Sequence, residues 1–213
     1  MRKPVFKLFC LLLCVFSLWG CDQRQGGKTP DNQTQELISY EIVDTEVTVA
    51  NCDDKVEGEV VIPDEIQGLP VISIGVEAFS GCSNLTSIII PDSVTSIDYM
   101  AFMACKKLTH LTISQGVTRI EAGAFVSCSA LTSVTLSKNL ASINEAAFMG
   151  CRSLTSITIP EGVTSIGDRA FSECSSLTSI TIPKAFHSYD EAKRLGLDKL
   201  WPDDFSLTVG ASK

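Results

Sequence analysis

The chain has 213 residues, of which 45% are hydrophobic, with 17 basic and 25 acidic side chains and a formal net charge of −8 at pH 7. This length accommodates one folded domain together with a leader and terminal caps. An acidic chain without a run of basic residues argues against nucleic-acid binding, which depends on neutralising phosphates.

Residues 1–20 have the organisation of a secretory signal peptide. The basic residues of its n-region are Arg2, Lys3 and Lys7. The apolar stretch 8–19 that follows is too short to cross a bilayer as a transmembrane helix. The leader ends in Leu18-Trp19-Gly20-Cys21, which resembles the lipobox of bacterial lipoproteins. That resemblance implies lipidation of Cys21 and a membrane-anchored protein at the cell surface or outer membrane; an ordinary signal peptide with an incidental cysteine is the alternative.

Residues 21–36 predict a polar linker. Asp22–Glu36 contains no aliphatic or aromatic side chain, so it cannot contribute to a core. A flexible stretch of this length has an r.m.s. span of about 20 Å. The predicted order is therefore a lipid anchor, a spacer and a folded domain.

Residues 37–78 predict an N-terminal cap and an atypical first repeat. Alternating apolar and polar residues predict short strands at Ile38–Ile42 and Val47–Val49. Val60–Pro63 matches the end of a repeat strand, and the residues around Gln67–Pro70 form an insertion with the composition of a turn. An atypical terminal repeat is expected because it shields the open end of a stack.

Residues 79–183 repeat a 23-residue unit. Its most regular position is a phenylalanine, preceded by alanine and followed three positions later by cysteine. The phenylalanines are Phe79, Phe102, Phe125, Phe148 and Phe171, and the cysteines are Cys82, Cys105, Cys128, Cys151 and Cys174. Further apolar columns begin at Leu85, Ile88, Ile90, Val94 and Ile97. One unit cannot bury all these columns by itself, so each unit must stack on its neighbours as one coil of a solenoid.

The last complete unit shows the expected secondary structure. Leu154–Pro160 alternates apolar and polar residues, as in a strand that buries one face. Val163–Ile166 predicts a second extended segment, and Gly167–Ser172 predicts a single helical turn before the cysteine. The sequence therefore predicts an α/β repeat solenoid with a parallel sheet, short helical turns and capped ends, whose coils are about 4.8 Å apart.

The repeated Leu-x-x-Ile-x-Ile strand and the Ala-Phe-x-x-Cys-x-x-Leu signature resemble the BspA-like leucine-rich repeats of bacterial surface proteins. The resemblance extends over residues 40–183. The repeats lack the asparagine ladder and the long convex helix of the ribonuclease-inhibitor type. The resemblance implies a right-handed leucine-rich-repeat superhelix, secretion, and a role in adhesion or host-protein binding.

Residues 184–213 predict a C-terminal cap. Ser188 and Glu191 have the spacing of a capping box at the start of a helix, and Gly196 suits the end of that helix. The apolar residues expected to cover the last coil are Leu195, Leu197, Leu200, Trp201 and Phe205.

The cysteines of the repeat column are predicted to be small buried thiols. Neighbouring side chains of a parallel column point the same way, which opposes disulfide geometry. Cys52 stands outside the column and is expected to be a free thiol in a cap loop. The chain contains no Cys-x-x-Cys motif, so we expect no zinc site.

No catalytic constellation accompanies the two histidines, His110 and His187. His110 stands where other units have serine and is expected to be exposed, without a positioned carboxylate or an activated nucleophile. Asp53-Asp54 and Asp203-Asp204 lack the ligand spacing of a calcium loop. We therefore expect no enzymatic activity, no metal and no cofactor.

The exposed face of the strands is the expected binding surface. Its outward columns hold mainly serine and threonine, which suit strands on structural grounds and also offer hydroxyls to a ligand. The candidate ligand-binding residues depart from the repeat pattern and are Tyr99, Lys106, Lys107, His110 and Arg119. We hypothesise a lipid-anchored module that binds a protein or a glycan. The alternative is a structural or envelope-assembly module without an extracellular ligand.

Overall fold

The computed structural model describes residues 37–183, 186, 189–196 and 206–209. The predicted signal peptide, the proposed lipidation site Cys21, the polar linker and His187 lie outside the described residues. The strands are β1 (Ile38–Val43), β2 (Glu46–Cys52), β3 (Glu57–Val61), β4 (Glu65–Ile66), β5 (Leu69–Ile74), β6 (Asn84–Ile89), β7 (Ser96–Ile97), β8 (His110–Thr112), β9 (Arg119–Ile120), β10 (Ser133–Thr135), β11 (Ser142–Ile143), β12 (Ser156–Thr158), β13 (Ser165–Ile166), β14 (Ser179–Ile182) and β15 (Ser206–Val209). The helix α1 spans Tyr189–Arg194.

Two parallel ladders run along the described chain. The long-strand ladder has the order β8-β10-β12-β14-β15, and the short-strand ladder has the order β5-β7-β9-β11-β13. The register of both ladders follows the sequence repeat. Val134 lies opposite Leu111 in the long-strand ladder, and Ile120 lies opposite Ile97 in the short-strand ladder. The fold is a solenoid with parallel strands, as the repeat predicted.

The segment around each phenylalanine is a non-helical turn, so the prediction of a helical turn at Gly167–Ser172 is wrong. The residues two positions before and two positions after each phenylalanine have positive φ, as Arg169 (56°) and Glu173 (59°) do in the last coil. A left-handed residue cannot continue a right-handed helix. Alternate N–H groups bond to the next coil instead, as Phe125 N does to Ala147 O at 2.8 Å. The α/β assignment is therefore corrected to a β-solenoid in which α1 is the one α-helix of the described residues.

The core consists of identical side chains stacked along the solenoid. The phenylalanine rings are fully buried and nearly parallel, with interplanar angles between 3° and 10°. Their centroids are 5.0 Å apart at the first pair and 5.8 Å apart at the last pair. The strict repeat of sequence thus becomes a continuous column of rings through the coils.

The cysteine column is buried and unbridged, as predicted. Cys128 Sγ donates a hydrogen bond to Phe102 O at 3.1 Å, and Cys105, Cys151 and Cys174 repeat this bond to the preceding coil. Alanine at these positions would leave the carbonyl without its thiol donor. Burial raises the pKa of Cys174 to about 12, so this thiol stays protonated at neutral pH.

The prediction that Cys52 lies in a cap loop is wrong. It is a free, buried thiol at the end of β2. Cys82 Sγ lies 3.8 Å from Cys52 O, so Cys52 stands at the head of the cysteine column. The place of Cys52 in the column could not be predicted from sequence spacing, because the first unit does not keep the 23-residue repeat.

The N-terminal cap contains the predicted strands. β1 and β2 form an antiparallel hairpin, and β2 pairs in parallel with β5 at the start of the short-strand ladder. The insertion around Gln67–Pro70 forms the turn between β4 and β5. Gln67 and Gly68 both have positive φ, as a type I′ hairpin turn requires.

The helix predicted from Ser188 and Glu191 is present as α1, and Leu195 beyond its end is buried. Phe171 N donates to Leu195 O at 3.1 Å. Because this bond occupies the position of an inter-coil bond, the end of α1 replaces the turn of a further coil. Leu197, Leu200, Trp201 and Phe205 lie outside the described residues.

A further strand follows the predicted repeats. β15 pairs in parallel with β14, and Leu207 lies opposite Ile180. The sequence analysis ended the repeat at Pro183, because the segment before β15 does not keep the 23-residue spacing. The long-strand ladder therefore extends one strand beyond the predicted end of the repeats at Pro183.

Candidate binding surface

The long-strand face consists of the side chains that point outward from β8, β10, β12 and β14. These side chains flank buried residues such as Ile157, because successive side chains of a strand point to opposite faces. Ser133, Thr135, Ser156 and Thr158 are exposed. None of these four hydroxyls is hydrogen-bonded to another described residue. They are therefore available to a ligand.

A second group of threonines, one residue before these strands, has a structural role. Thr132 Oγ1 donates to Thr109 O at 2.9 Å, and Thr109 and Thr178 make the equivalent bond to the preceding coil at 3.4 Å. These hydroxyls stabilise the stacking of coils. The two groups of hydroxyls differ because only the first points away from the backbone of the neighbouring coil.

Three of the candidate residues lie together at the start of β8. His110 is exposed on the long-strand face, with Nδ1 3.0 Å from Thr109 Oγ1. Lys106 and Lys107 are exposed in the preceding turn, and Lys107 Nζ donates to Asn84 Oδ1 at 2.8 Å. The three exposed side chains therefore lie within five positions of the chain, at and just before the start of β8.

The other two candidates lie outside the strands of the long-strand ladder. Arg119 belongs to β9 of the short-strand ladder, where its Nε pairs with Glu121 Oε1 at 3.2 Å. Its side chain is 59% exposed, and a pair of this kind contributes little stability. Tyr99 is exposed in the turn that precedes the second phenylalanine. The five candidates therefore do not form one continuous patch.

The long-strand arrangement is interrupted between β6 and β8. β6 pairs with β3 and β8 pairs with β10, but no strand pairing joins β6 to β8 in the described part of the chain. Thr109 N donates to Thr86 O at 3.2 Å at the start of both strands, and Gln115 N donates to Asp92 Oδ1 at 3.0 Å beyond their ends. Between these two contacts the strands border a cleft of about 330 Å³.

The sequence analysis did not identify this cleft. Two departures from the repeat mark it: Ile89 stands where later strands have threonine, and Ser114 stands where four other units have proline. These signals are weak in a sequence, because their effect depends on whether the two neighbouring strands pair.

Within the described ranges, no group of three or more His, Cys, Asp and Glu side chains is placed to hold a metal ion. None of the described helices has the length and hydrophobicity needed to cross a membrane.

Comparisons with known proteins agree with the repeat. The family model of the BspA type leucine rich repeat region matches residues 72–192 in six copies. None of the curated proteins compared with the chain is significantly similar to it.

Solved structures share the fold. The T. pallidum leucine-rich repeat protein is 25% identical, with a TM-score of 0.69 over 82% of this chain and 81% of that chain. A leucine-rich repeat protein from Bacteroides ovatus ATCC 8483 is 34% identical, with a TM-score of 0.60 over 68% of this chain and 45% of that chain. A leucine rich cell surface protein from Faecalibacterium prausnitzii A2-165 is 28% identical, with a TM-score of 0.49 over 75% of this chain and 55% of that chain. The chain spans less than half of the Bacteroides ovatus protein.

Proposed function

The chain belongs to the BspA-type leucine-rich-repeat family, and on that premise we propose that it is a cell-surface module that binds a protein ligand through the long-strand face. The observation that carries the proposal is the row of exposed, unpartnered hydroxyls on β10 and β12. Hydroxyls both donate and accept hydrogen bonds, so a rigid array of them suits the backbone of a protein. A glycan is the second ligand class that such an array accepts.

The three side chains at and just before the start of β8 support a polar contribution to this binding. Lys106, Lys107 and His110 present donors next to the hydroxyl array. Donors of this kind form strong hydrogen bonds with carboxylates and with carbonyl-rich surfaces. Arg119 and Tyr99 would contact a ligand of the long-strand face only if that ligand also extends around the coil.

The proposed anchor agrees with a surface location. Lipidation of Cys21 would tether the chain to a membrane, and the spacer 22–36 would hold the repeats about 20 Å from it. Adhesion is the role that follows from a tethered binding face.

The proposal is tested with two matched arginine substitutions in one coil. Ser156 in β12 and Ser165 in β13 are both exposed serines, but they lie in different ladders. The native chain already carries Arg119 in the column of Ser165, so we expect the fold to tolerate Ser165→Arg. The full chain, made soluble by Cys21→Ala, is applied to an array of purified extracellular proteins and glycans.

We expect binding to at least one protein, loss of that binding in Ser156→Arg, and retention in Ser165→Arg. His110→Ser should weaken the same binding about 2- to 10-fold, the range for one lost hydrogen bond, without changing the melting temperature. Arg119→Ser should leave it unchanged. Binding that Ser165→Arg removes and Ser156→Arg leaves intact would contradict the assignment of the face, and binding to glycans alone would contradict the protein ligand.

A further inference from the structure

An apolar patch lies on the turns that carry the phenylalanines. The position directly after the phenylalanine is methionine or valine in the three central units, whereas the first and last units have serine there. These three side chains are partly exposed. Val76 and Tyr99, earlier in the first two turns, are 58% and 45% exposed. The turn patch comprises Val76, Tyr99, Met100, Met103, Val126 and Met149.

The side chains of the turn patch continue from one coil to the next. Ser127 N donates to Met149 O at 2.8 Å, so the third and fourth turns lie directly side by side. A Cβ placed on Gly123 would lie 3.2 Å from Met100 Cγ and 3.3 Å from Val126 Cγ2. The side chains of Met100 and Val126 therefore meet over this glycine. Methionine is flexible and polarizable, and it is frequent at surfaces that bind proteins.

Charged residues border the turn patch on both sides. Asp98 directly follows β7 of the short-strand ladder, and Lys106 precedes β8 of the long-strand ladder. The coil two units further along has the same order, because Glu145 follows β11 and Arg152 precedes β12. In both coils the acidic residue therefore lies towards the short-strand ladder and the basic residue towards the long-strand ladder.

These charges are available to a second molecule. Asp98, Lys106 and Glu145 have no ion-pair partner among the described residues. Arg152 pairs with Glu173 at 3.7 Å, but the two side chains are 68% and 64% exposed. A pair this long and this exposed contributes little stability, so Arg152 can exchange it for another carboxylate.

We propose that the turn patch is the interface of a homodimer whose twofold axis runs parallel to the axis of the solenoid. Rotation about such an axis exchanges the two sides of the patch and keeps each coil opposite the same coil of the second copy. Asp98 then faces Lys106 of the second copy, and Glu145 faces Arg152 of the second copy. The apolar side chains pack against their own equivalents, as an isologous interface requires.

The charges exclude the other face-to-face arrangement. A twofold axis perpendicular to the solenoid axis would run the two copies in opposite directions and leave the sides of the patch unexchanged. Asp98 would then face Glu145 of the second copy, and Lys106 would face Arg152. Like charges in contact across an interface are unfavourable. The parallel dimer is therefore the arrangement that the surface favours.

The parallel arrangement also places both N-terminal hairpins at the same end of the dimer. With lipidation of Cys21, the spacers of both copies would reach one membrane, and this confinement would raise their effective concentration. This point rests on the proposed anchor, whereas the apolar surface and the charge pairing do not. The inference goes beyond the proposed function, because the strands of both ladders lie outside the turn patch and remain available to a ligand.

Sedimentation velocity of the full chain with Cys21→Ala, over a dilution series, measures the association. We expect a reversible equilibrium between monomer and dimer. Val126→Glu places a carboxylate in the apolar centre of both copies and should raise the dissociation constant of the dimer at least about 10-fold. Val43→Glu is the matched control and should leave it unchanged, because Val43 is 63% exposed at the end of β1, outside the patch. Thermal melting by circular dichroism verifies that each variant is folded.

Charge reversal tests the pairing. Lys106→Glu puts carboxylates opposite each other at two symmetric places and should weaken the dimer at least about 5-fold, with a smaller effect at high salt. Addition of Asp98→Lys to this variant reverses both partners and should restore the dissociation constant. Lys138→Glu makes the same change at an exposed lysine beyond the end of β10 and should have no effect.

Cross-linking distinguishes the two twofold axes. Met103→Cys and Met149→Cys lie at equivalent positions two coils apart. In the parallel dimer, a bifunctional maleimide joins each variant to another copy of the same variant. In the antiparallel dimer it would join only a mixture of the two variants. The described native cysteines are buried, and the chain without an added cysteine gives the background.

Four outcomes would overturn the proposal: a monomer at every concentration, a dimer that Val126→Glu leaves intact, a Lys106→Glu defect that Asp98→Lys does not repair, or cross-links in the mixture alone. The proposed function fails separately, because Ser156→Arg and Ser165→Arg change no residue of the turn patch. A ligand that binds a strictly monomeric chain would refute the dimer and leave the binding face standing. A parallel dimer that binds no arrayed ligand would do the reverse.

Discussion

Truncation of the central phenylalanine probes the stack most directly. Phe125 is fully buried and lies between two parallel rings, 5.2 Å from the ring of Phe102 and 5.2 Å from that of Phe148. Its carbonyl also accepts the thiol of Cys151 at 3.3 Å. Phe125→Ala therefore removes one ring, which costs each neighbouring coil a ring contact and opens a cavity between Phe102 and Phe148.

The expected loss follows from the structure. Replacing a buried phenylalanine by alanine costs about 3–5 kcal/mol. Each lost ring contact adds about 0.5–1.5 kcal/mol beyond the area that it buries. Phe79 is equally buried but stacks on Phe102 alone among the described rings. We therefore expect Phe125→Ala to cost about 3–5 kcal/mol and Phe79→Ala to cost about 0.5–1.5 kcal/mol less.

Urea unfolding of both variants in the Cys21→Ala background, followed by far-UV circular dichroism, measures the two losses. In a solenoid, coils interact chiefly with their neighbours, so the central substitution should also lower the cooperativity of unfolding more than the terminal one. A loss below about 1 kcal/mol for Phe125→Ala, or an equal or larger loss for Phe79→Ala, would refute the stacked-column reasoning.

Three further predictions concern the anchor, the turns and alkaline pH. Cys21→Ala should move the protein from the membrane fraction to the soluble fraction, and unchanged partitioning into detergent would contradict lipidation. Ala146 has a φ of 54°, so Ala146→Gly should raise the free energy of unfolding by about 0.5–1 kcal/mol. Ala124 does not have a positive φ, so Ala124→Gly should lower the free energy of unfolding. Thermal melting of both variants tests the two opposite shifts. Burial raises the pKa of Tyr40 from 10.0 to about 12 and that of Cys174 from 9.0 to about 12. Both groups hold their protons more tightly in the folded than in the unfolded protein. Their stabilising effect is therefore complete below pH 9 and is lost as the pH rises towards 12. A melting temperature that stays constant over this interval would contradict the burial of Tyr40 and Cys174.

Much of the fold was predictable because one physical requirement repeats in every unit. The apolar columns cannot be buried within a unit, and stacking in register buries all of them together. The burial of Phe125 and Cys128 and the parallel pairing of strands follow from that requirement and are confirmed. The first unit was less predictable, because Cys52 reaches the column through a hairpin rather than through the repeat spacing.

The candidate site was predictable only in part. Alternation along a strand places Ser156 and Thr158 outward, and the structure confirms their exposure. The same reasoning could not decide whether His110 and Arg119 share a face, because that depends on how the coil turns between β8 and β9. These two residues belong to different ladders. Their roles in binding stay predictions.

The sequence by itself determined the number of residues in a coil, the register of its neighbours and the composition of its core. The tertiary structure alone decided where the backbone N–H groups find their acceptors. Near each phenylalanine alternate N–H groups bond across to the next coil, as Phe125 N does to Ala147 O, so the turns are not helical. Between β6 and β8 the strand pairing is absent from the described residues, so a cleft opens beside Ser114. A repeating sequence offers a local and an inter-coil acceptor to each such donor, and only the packed arrangement of coils selects between them.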